Sequence, residues 1–254
     1  MKIEIGESLA LSYLKHVKKC VIYQNNWKIS SRWRESDKGN NNKNITLEEK
    51  IFNEIKTRFN GVFKSSFNQT IKQAEIDALG MDKEGKIYAI DIAYHEKGLS
   101  YDKDNNVTKN KMIKKLLRSY LILLSYFPDR DYEIIFASPK VREATESIII
   151  QSFNDLNTFF NNNVELQNKV KLKNNVEFKY ISNEEFRKEI LDKTIEASTD
   201  NSDTNELFMR SYKLLELFNK AYNIAENTTN LNKKNSPTDY IEFVFKPSDE
   251  KSLE

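Results

Sequence analysis

The stretch that decides the fold runs Gln73-Ala74-Glu75-Ile76-Asp77-Ala78-Leu79-Gly80 and resumes at Ile87-Tyr88-Ala89-Ile90-Asp91-Ile92-Ala93-Tyr94. Residue types alternate along both segments, which is typical of β-strands because successive side chains point to opposite faces. The connection from Gly80 to Gly85 has the composition of a hairpin turn. We therefore predict that the two segments pair as an antiparallel hairpin.

Acidic side chains collect on one face of this predicted hairpin. Glu75 and Asp77 share a face of the first strand. On the second strand, Asp91 lies on the face opposite the apolar residues. With the turn centred near Glu84, antiparallel pairing places Asp77 opposite Asp91 and Glu75 opposite Ala93, whereas a shift of one residue would separate them. The apolar residues expected to point into the core are Tyr88, Ile90, Ile92 and Tyr94.

The facing carboxylates predict either a metal site or a solvated strand face. Like charges placed directly opposite each other destabilise a sheet, and a bound cation offsets that repulsion. Hard carboxylate oxygens favour Mg²⁺ or Mn²⁺, which retain water ligands and meet substrate phosphates. On a solvated face, in contrast, alternating acids such as Asp77 and Asp91 would hold no metal.

The segments on either side of the hairpin complete an α/β module. A helix is predicted from Thr46, where Thr46 and Glu49 form a capping box, to Gly61. A basic helix follows the hairpin at about Thr108–Tyr126, and Pro128 stops it. The predicted strands are Gly61–Phe67, Lys72–Leu79, Lys86–Tyr94 and Tyr132–Ala137, so the order is helix, three strands, helix, strand.

Further elements are predicted on both sides of this module. An N-terminal extension, residues 1–45, contains a helix around Leu9–Val17 and a strand-like run at Cys20–Tyr23. The module itself covers 46–140, an α/β addition covers 141–225, and a polar tail covers 226–254. In the last two parts we expect helices at Val141–Phe160, Glu184–Glu196 and Thr204–Ala225, and strands at Val176–Ile181 and Tyr240–Phe245.

The order of elements and the acidic residues resemble the core of the PD-(D/E)XK nuclease superfamily, which includes restriction endonucleases and Holliday junction resolvases. In that family an Asp lies on the second strand of a three-stranded meander, and a (D/E)-x-K tripeptide lies on the third. Asp77 matches the first acid, Asp91-Ile92-Ala93 lies at the tripeptide, and Glu49 or Glu54 matches an acid on the first helix. The resemblance implies a restriction endonuclease-like α/β core with helical additions at both ends.

This resemblance also implies a metal-dependent endonuclease that hydrolyses nucleic acid, with DNA favoured over RNA. Asp77 and Asp91 would hold Mg²⁺ or Mn²⁺, with Glu75 and the Ile92 carbonyl as further ligands. His95 shares the face of Asp91. It would there bind a second metal ion or orient a water molecule, unless it is purely structural.

The lysine of the family motif is replaced, because Ala93 stands at its position. Either an amine from the following helix takes its place, Lys115 first and Lys111 second, or the domain binds nucleic acid without cleaving it. No acidic residue lies between Asn105 and Pro128. A phosphate-binding surface on this helix would comprise Lys109, Lys111, Lys114, Lys115 and Arg118, although such lysines are also common on solvated helix faces.

Composition excludes several other classes of protein. The 254 residues carry a formal net charge of +2, so any basic surface is local. Cys20 is the only cysteine, which excludes an internal disulfide and a cysteine-rich zinc site, and we expect it to be buried. Without a signal peptide or an apolar segment of membrane length, we expect a cytoplasmic protein with no membrane partner. A homodimer, a nuclease subunit of a larger complex, and a scaffold that binds no nucleic acid are alternatives that the sequence leaves open.

Overall fold

A five-stranded mixed sheet with helices on both faces forms the centre of the computed structural model. The structure describes residues 4–29, 46–94, 98–99, 104–161, 175–199 and 206–227, with the backbone alone at 198–199 and 218–227. Met1–Arg210 and Ser211–Glu254 are two separate compact units, and the sheet belongs to the first. The prediction of an α/β fold is confirmed.

The elements have the following bounds. The strands are β1 (Ile22–Lys28), β2 (Glu75–Met81), β3 (Ile87–Ile92), β4 (Tyr132–Ser138) and β5 (Val176–Ser182). The helices are α1 (Ile5–Ser12), α2 (Leu47–Arg58), α3 (Phe67–Lys72), α4 (Asn105–Tyr126), α5 (Glu143–Asn161), α6 (Asn183–Glu185), α7 (Lys193–Thr199) and α8 (Leu207–Asn227). Two π-helical segments, Tyr13–Val17 and Phe186–Asp192, continue α1 and join α6 to α7.

Strands β2 and β3 form the predicted antiparallel hairpin. Ala78 lies opposite Ile90, which is the register expected from a turn centred near Glu84. Gly85 has a φ of +86°, a left-handed conformation that glycine adopts without strain. Its N–H donates to the Asp82 carbonyl at 3.1 Å. Local turn chemistry therefore sets the predicted register, but the ladder ends at Ala78 and Ile90, so the predicted pairings of Asp77 with Asp91 and of Glu75 with Ala93 are not formed.

The sheet order is β1-β2-β3-β4-β5, with antiparallel pairing from β1 to β3 and parallel pairing from β3 to β5. Parallel neighbours need a crossover connection, which is usually a helix. Helix α4 makes this connection between β3 and β4, and α5 makes it between β4 and β5. Helix α4 is therefore the next element after β3 in the chain, and it packs on the face of the sheet next to β3.

The strand predicted at Gly61–Phe67 is wrong. Ser66 caps α3 there, because its hydroxyl accepts from the Gln69 N–H at 3.4 Å, while Gln69 Oε1 accepts from the Ser66 N–H at 3.3 Å. This capping box starts a short helix at the end of the segment that was predicted to be a strand. The third antiparallel strand is instead β1, which precedes α2 and extends the run predicted at Cys20–Tyr23.

The centre of the sheet is buried on both faces, which contradicts the expectation that only the apolar face of the hairpin points into a core. All six residues of β3 are buried, because β3 lies in the middle of the sheet and pairs in parallel with β4. Ile90 and Ile92 pack in one apolar cluster with residues of α1, whereas Ala89 and Ala93 pack in the larger cluster with residues of α4. The side chain of Asp91 points to the α4 side, where Ser119 contacts it.

Helix α4 is the central helix of the larger cluster. It begins at Asn105 rather than at Thr108, because the Asp104 side chain accepts from the Asn106 N–H at 2.8 Å and caps the helix there. The apolar face predicted for this helix is confirmed. Its buried members include Met112, Ile113, Leu116, Leu117, Tyr120 and Leu124.

The remaining predicted elements are present with shifted bounds. Helix α5 begins at Glu143, the helix predicted at Glu184–Glu196 is divided into α6, a π-helical segment and α7, and α8 begins at Leu207. The strand predicted at Tyr240–Phe245 lies outside the described residues. Cys20 is buried, as expected. Across the described part of the chain, no helix is both long and apolar enough to span a membrane.

Two asparagines of α5 cover part of the outer edge of β5. The side chain of Asn157 donates to the Phe178 carbonyl and accepts from the Phe178 N–H, both at 2.9 Å. Asn161 donates to the Val176 carbonyl at 3.0 Å. Backbone groups on the edge strand that have no neighbouring strand are thus paired with side chains of a helix.

A buried carboxylate, Glu133, joins several elements near the start of the parallel strands. Its side chain is 3% exposed, and the ammonium groups of Lys18, Lys86 and Lys179 lie 2.7, 2.9 and 3.3 Å from its oxygens. Burial alone would raise the pKa of Glu133, but hydrogen bonds from Lys18 and Lys86 outweigh it and lower the pKa to about 2. This ionised group therefore ties β4 to the segment after α1, to the start of β3 and to β5.

Candidate active site

The candidate site forms where β2 and β3 separate. Their ladder ends at Ala78 and Ile90, and beyond it β2 remains paired with β1 alone. In the gap, Asp77 Oδ2 accepts a hydrogen bond from the Ile92 N–H at 2.9 Å. The carboxylate therefore replaces the backbone partner that a continued ladder would supply, and Asp77 is held beside β3.

Asp91 follows Ile90 on β3 and is almost fully buried, at 2% exposure. The Ser119 hydroxyl of α4 donates to Asp91 Oδ2 at 3.1 Å. Within the described part of the chain, Asp91 Oδ1 has no hydrogen-bond partner. The ammonium of Lys115 lies 3.6 Å from this oxygen and offsets part of the cost of burying its charge, so a bound metal ion would act beside that ammonium.

The ammonium of Lys115 lies between the two carboxylates. Its Nζ is 3.6 Å from Asp91 Oδ1 and 3.9 Å from Asp77 Oδ2, which are ion pairs longer than hydrogen bonds. Asp91 Oδ1 and Asp77 Oδ2 can be no farther apart than the sum of these two distances. A shared metal ion would be excluded only if the carboxylates lay more than roughly 10 Å apart. The geometry expected for these three residues is present, and their chemical roles stay predictions.

Both carboxyl groups have raised pKa values. Burial is the largest cause for Asp77, whose pKa rises to about 7; the charge of Asp91 adds to the rise, while Lys115 and the Ile92 N–H oppose it. Burial likewise raises the pKa of Asp91, and Lys115 and Ser119 oppose that rise. One ammonium between two buried carboxylates leaves an excess of negative charge when both are ionised, which a divalent cation would neutralise.

A third acid, Glu7 of α1, acts on this pair and was missed in the sequence. Its charge adds to the raised pKa of Asp77. Asn26 of β1 donates to Glu7 Oε2 at 2.9 Å and so orients the carboxylate. We expected Glu49 or Glu54 of α2 to supply the helix acid. Glu49 instead completes the capping box at the start of α2, and α1 supplies the helix acid whose charge reaches Asp77.

Glu75 lies at the margin of the site. Its carboxylate forms an ion pair with Lys28 of β1 at 3.0 Å, and its side chain is 38% exposed. Its charge adds to the raised pKa of Asp91. Glu75 therefore lies near the acidic pair as predicted, but it forms its ion pair with Lys28 of β1 and stays partly exposed to solvent. His95 lies outside the described residues.

Of the basic residues predicted on α4, Lys115 and Arg118 lie near the acidic pair. Lys115 is the one whose ammonium lies between Asp77 and Asp91, and Arg118 donates to Gln73 Oε1 at 2.7 Å. Lys111 is exposed, whereas Lys109 and Lys114 are partly buried. The structure therefore favours Lys115 over Lys111 as the amine of the site.

The residues of the gap fit a hard divalent cation. Mg²⁺ commonly uses one or two carboxylates, retains water and takes its other ligands from substrate phosphates. Asp77 and Asp91 supply the carboxylates. The Ala93 N–H donates to β4, so the Ile92 carbonyl of the same peptide group points the other way, into the gap where the Ile92 N–H donates to Asp77. Among the described residues, no group of three or more His, Cys, Asp or Glu side chains could hold a metal ion.

A cavity of about 490 Å³ lies elsewhere, between α5 and β5. Glu146, Phe153, Asn157 and Tyr180 are among the residues that line it, and none of its lining residues belongs to β2, β3 or α4. The acidic pair occupies the gap between two strands, so its chemistry does not involve this cavity.

Comparisons with models of protein families, with curated proteins and with solved structures found no match. The choice among functions therefore depends on the geometry and charges of the site itself.

Without bound metal, the protein is expected to lose stability with rising pH because of Asp77. Folding raises the pKa of this group from 3.8 to about 7, so between these values the folded protein binds more protons than the unfolded chain. The stabilisation is fully present below the pKa of the unfolded state and is lost as the pH rises through the pKa of the folded state. The free energy of unfolding should fall by about 2–4 kcal/mol over this range. Urea denaturation in EDTA at about pH 5 and about pH 8 measures this loss.

Two variants separate Asp77 from the other acids. Asp77→Asn should reduce the difference between the two pH values, whereas Asp129→Asn, which alters an exposed acid, should leave it unchanged. A pH difference of the wild-type size in Asp77→Asn would contradict the assignment.

Proposed function

We propose that this protein is a metal-dependent phosphodiester hydrolase that cleaves nucleic acid, with DNA as the favoured substrate. The observation that carries the proposal is the pair of buried Asp91 and half-buried Asp77, with Lys115 of the basic helix α4 between their carboxylates. Excess buried negative charge favours a bound cation, and the cations along α4 favour a polyanion. A phosphodiester bound together with Mg²⁺ satisfies both requirements.

We further infer a restriction endonuclease-like core. The order α1, β1, β2, β3, α4, β4 matches the helix, three antiparallel strands, helix and strand of that fold, with α2 and α3 inserted between β1 and β2. In this correspondence Glu7 is the acid of the first helix, Asp77 lies on the second strand, and Asp91-Ile92-Ala93 lies on and just beyond the third. The acids thus come from elements in the order that the family motif requires.

Asp77 and Asp91 would hold Mg²⁺ or Mn²⁺, with the Ile92 carbonyl as a further oxygen. When bound, the ion would lower the pKa of a coordinated water and offset charge on the phosphate. Ser119 fixes one oxygen of Asp91 and so leaves the other directed toward Lys115 and the gap. The negative charge of Glu7 adds to the raised pKa of Asp77, and that of Glu75 adds to the raised pKa of Asp91.

Lys115 would replace the lysine of the family motif. Ala93 is 4% exposed and packs in the cluster beneath α4, so its small side chain leaves the face of Asp91 to a cation from that helix. The Lys115 side chain is 39% exposed, with its ammonium at both carboxylates. It can therefore donate hydrogen bonds to a water or phosphate oxygen that enters from solvent, and it would steady negative charge as the phosphorus–oxygen bond breaks.

A second candidate function is nucleic-acid binding or complex assembly without cleavage. The observation that favours it is Ala93, which can neither donate a hydrogen bond nor carry charge. A site that has lost catalysis has no need of metal affinity. Binding of Mg²⁺ or Mn²⁺ that depends on Asp77 and Asp91 would therefore favour the hydrolase over this alternative.

A cleavage assay tests the proposal. The purified protein is expected to cleave DNA in Mg²⁺ or Mn²⁺ and to lose this activity in EDTA, with RNA tested in parallel to define the substrate. Asp91→Ala and Asp91→Asn should both abolish cleavage, because the buried carboxylate is the main ligand, and Asp129→Asn serves as the control at an exposed acid. Cleavage that continues in EDTA, or in both Asp91 variants, would exclude this mechanism.

A further inference from the structure

The ladder between β1 and β2 is interrupted at Asn26, beside the candidate site. Asn26 lies opposite Asp77, because the residues on either side of each are paired, but these two residues are not paired with each other. Asn26 has a φ of +50°, a left-handed backbone conformation that is uncommon outside glycine and that asparagine tolerates better than most residues. Such conformations cluster at functional sites, where the surrounding structure holds them in place.

The left-handed conformation redirects the side chain of Asn26. In a regular strand, the side chains of two directly opposed residues point to the same face of the sheet. Asp77 contacts Lys115 of α4 on one face, whereas α1 packs on the other face, in the apolar cluster that contains Ile92. The side chain of Asn26 nevertheless reaches α1, where its Nδ2 donates to Glu7 Oε2 at 2.9 Å. The backbone of Asn26 therefore directs its amide toward Glu7.

The first turn of α1 lies against the end of β3, next to the gap that holds the acidic pair. A Cβ on Gly6 would lie 3.2 Å from Tyr94 Cβ and 3.6 Å from Ile92 Cδ1. A side chain at this position would crowd β3, so the close approach of the helix depends on glycine. Glu7 is the next residue, and its charge accordingly adds to the raised pKa of Asp77.

The Glu7 carboxylate is held through one of its two oxygens. Glu7 Oε2 accepts from the Asn26 amide at 2.9 Å and from the Glu4 N–H at 3.3 Å. Within the described part of the chain, both hydrogen bonds to this carboxylate go to Oε2. Mg²⁺ retains water ligands, and carboxylates around a metal site accept hydrogen bonds from its ligands. A Glu7 side chain fixed through Oε2 has Oε1 available for such a water.

We propose that Asn26 is a positioning residue that holds Glu7 beside Asp77, where Glu7 accepts a hydrogen bond from a water ligand of the metal ion. Asn26 touches neither the ion nor the substrate and acts through Glu7. The left-handed backbone at Asn26 is then the feature of β1 that lets α1 contribute to a site built mainly from β2, β3 and α4. This assignment rests on the proposed function, because it concerns the metal ion of the same site.

Calorimetric binding of Mn²⁺ by the full chain tests this role apart from cleavage. Asn26→Gly keeps the left-handed backbone without steric cost but removes the amide. Its affinity for Mn²⁺ should fall by about 10–100-fold, while its midpoint of urea denaturation should change little. Glu7→Gln, which keeps an acceptor for the capping box, should weaken binding to a similar extent. Since Asn26 acts through Glu7, the double variant should bind no more weakly than Glu7→Gln alone.

Lys19→Gly provides the matched control. Lys19 also has a positive φ, +55°, and it is exposed in the turn before β1, so its replacement by glycine should leave the affinity for Mn²⁺ unchanged. Wild-type affinity in Asn26→Gly, or additive losses in the double variant, would overturn the positioning role. Binding of Mn²⁺ that depends on Asp77 and Asp91 would then still support the proposed function. Absence of Mn²⁺ binding by the wild type would overturn both.

Discussion

The Lys115→Ala variant is expected to cleave nucleic acid about 10²–10³-fold more slowly than the wild type. Its ammonium lies 3.6 Å from Asp91 and 3.9 Å from Asp77, where it would contact the attacking water or the phosphate. Metal binding should persist or tighten, because the substitution removes a positive charge from beside the two ligands. Single-turnover cleavage and calorimetric Mg²⁺ binding measure the two effects separately.

Lys111→Ala is the matched control, since Lys111 lies one helical turn earlier on the same flank of α4. Its loss should weaken substrate binding with a much smaller effect on the cleavage step. Circular dichroism checks that both variants fold. Equal losses in both variants would contradict the assignment of Lys115, and normal cleavage by Lys115→Ala would exclude the migrated lysine altogether.

The Glu133→Gln variant is expected to lose about 3–5 kcal/mol of unfolding free energy. The substitution preserves the shape of a side chain that is only 3% exposed, but it leaves Lys18, Lys86 and Lys179 around a neutral amide. Since the pKa of Glu133 is lowered from 4.5 to about 2, the stabilisation is present above the ordinary value and is lost as the pH falls through the lowered one. Chemical denaturation near neutral pH measures it.

Glu84→Gln is the control for this second prediction. Glu84 also lies beside a lysine, Lys83 at 3.5 Å, but its side chain is 66% exposed, and such pairs contribute about 1 kcal/mol or less. A Glu133→Gln protein within about 1 kcal/mol of the wild type would show that solvent already compensates the three lysines. Failure to obtain folded protein would agree with the expected loss.

Local patterns predicted the elements whose partners lie nearby in the chain. The β2–β3 hairpin, its register and the apolar face of α4 depend on alternation, a turn and helical spacing within short windows. The pairing of β1 with β2 was missed, because these strands are separated by α2 and α3 and β1 carries polar residues such as Gln24 and Asn25. Non-local pairing leaves no trace in the periodicity of either segment.

The short helix α3 was missed for a different reason. Its capping residues, Ser66 and Gln69, have the spacing of a capping box, but the segment was assigned to a strand without considering them. A search for Ser-x-x-Gln in this segment would have found the start of the helix. The example shows that capping chemistry can decide between a strand and a helix in an apolar run this short.

The sequence also predicted part of the candidate site. Asp77, Asp91 and Lys115 were found because they lie on adjacent elements whose faces follow from periodicity. Glu7 was missed because α1 reaches the site only through the folded sheet, where Asn26 of β1 holds its carboxylate. The burial of Asp91 was also missed, since it depends on α4, which covers the face of β3 that carries this carboxylate.

The asparagines that cover the edge of β5 have a consequence for self-association. A foreign strand that added to β5 would need the backbone groups of Phe178 and Val176, which the side chains of Asn157 and Asn161 already occupy. Displacing them would leave amides unpaired, so growth of the sheet from this side into intermolecular aggregates is disfavoured. The crossover helix that makes β5 a parallel strand thereby also protects the protein from polymerising through it.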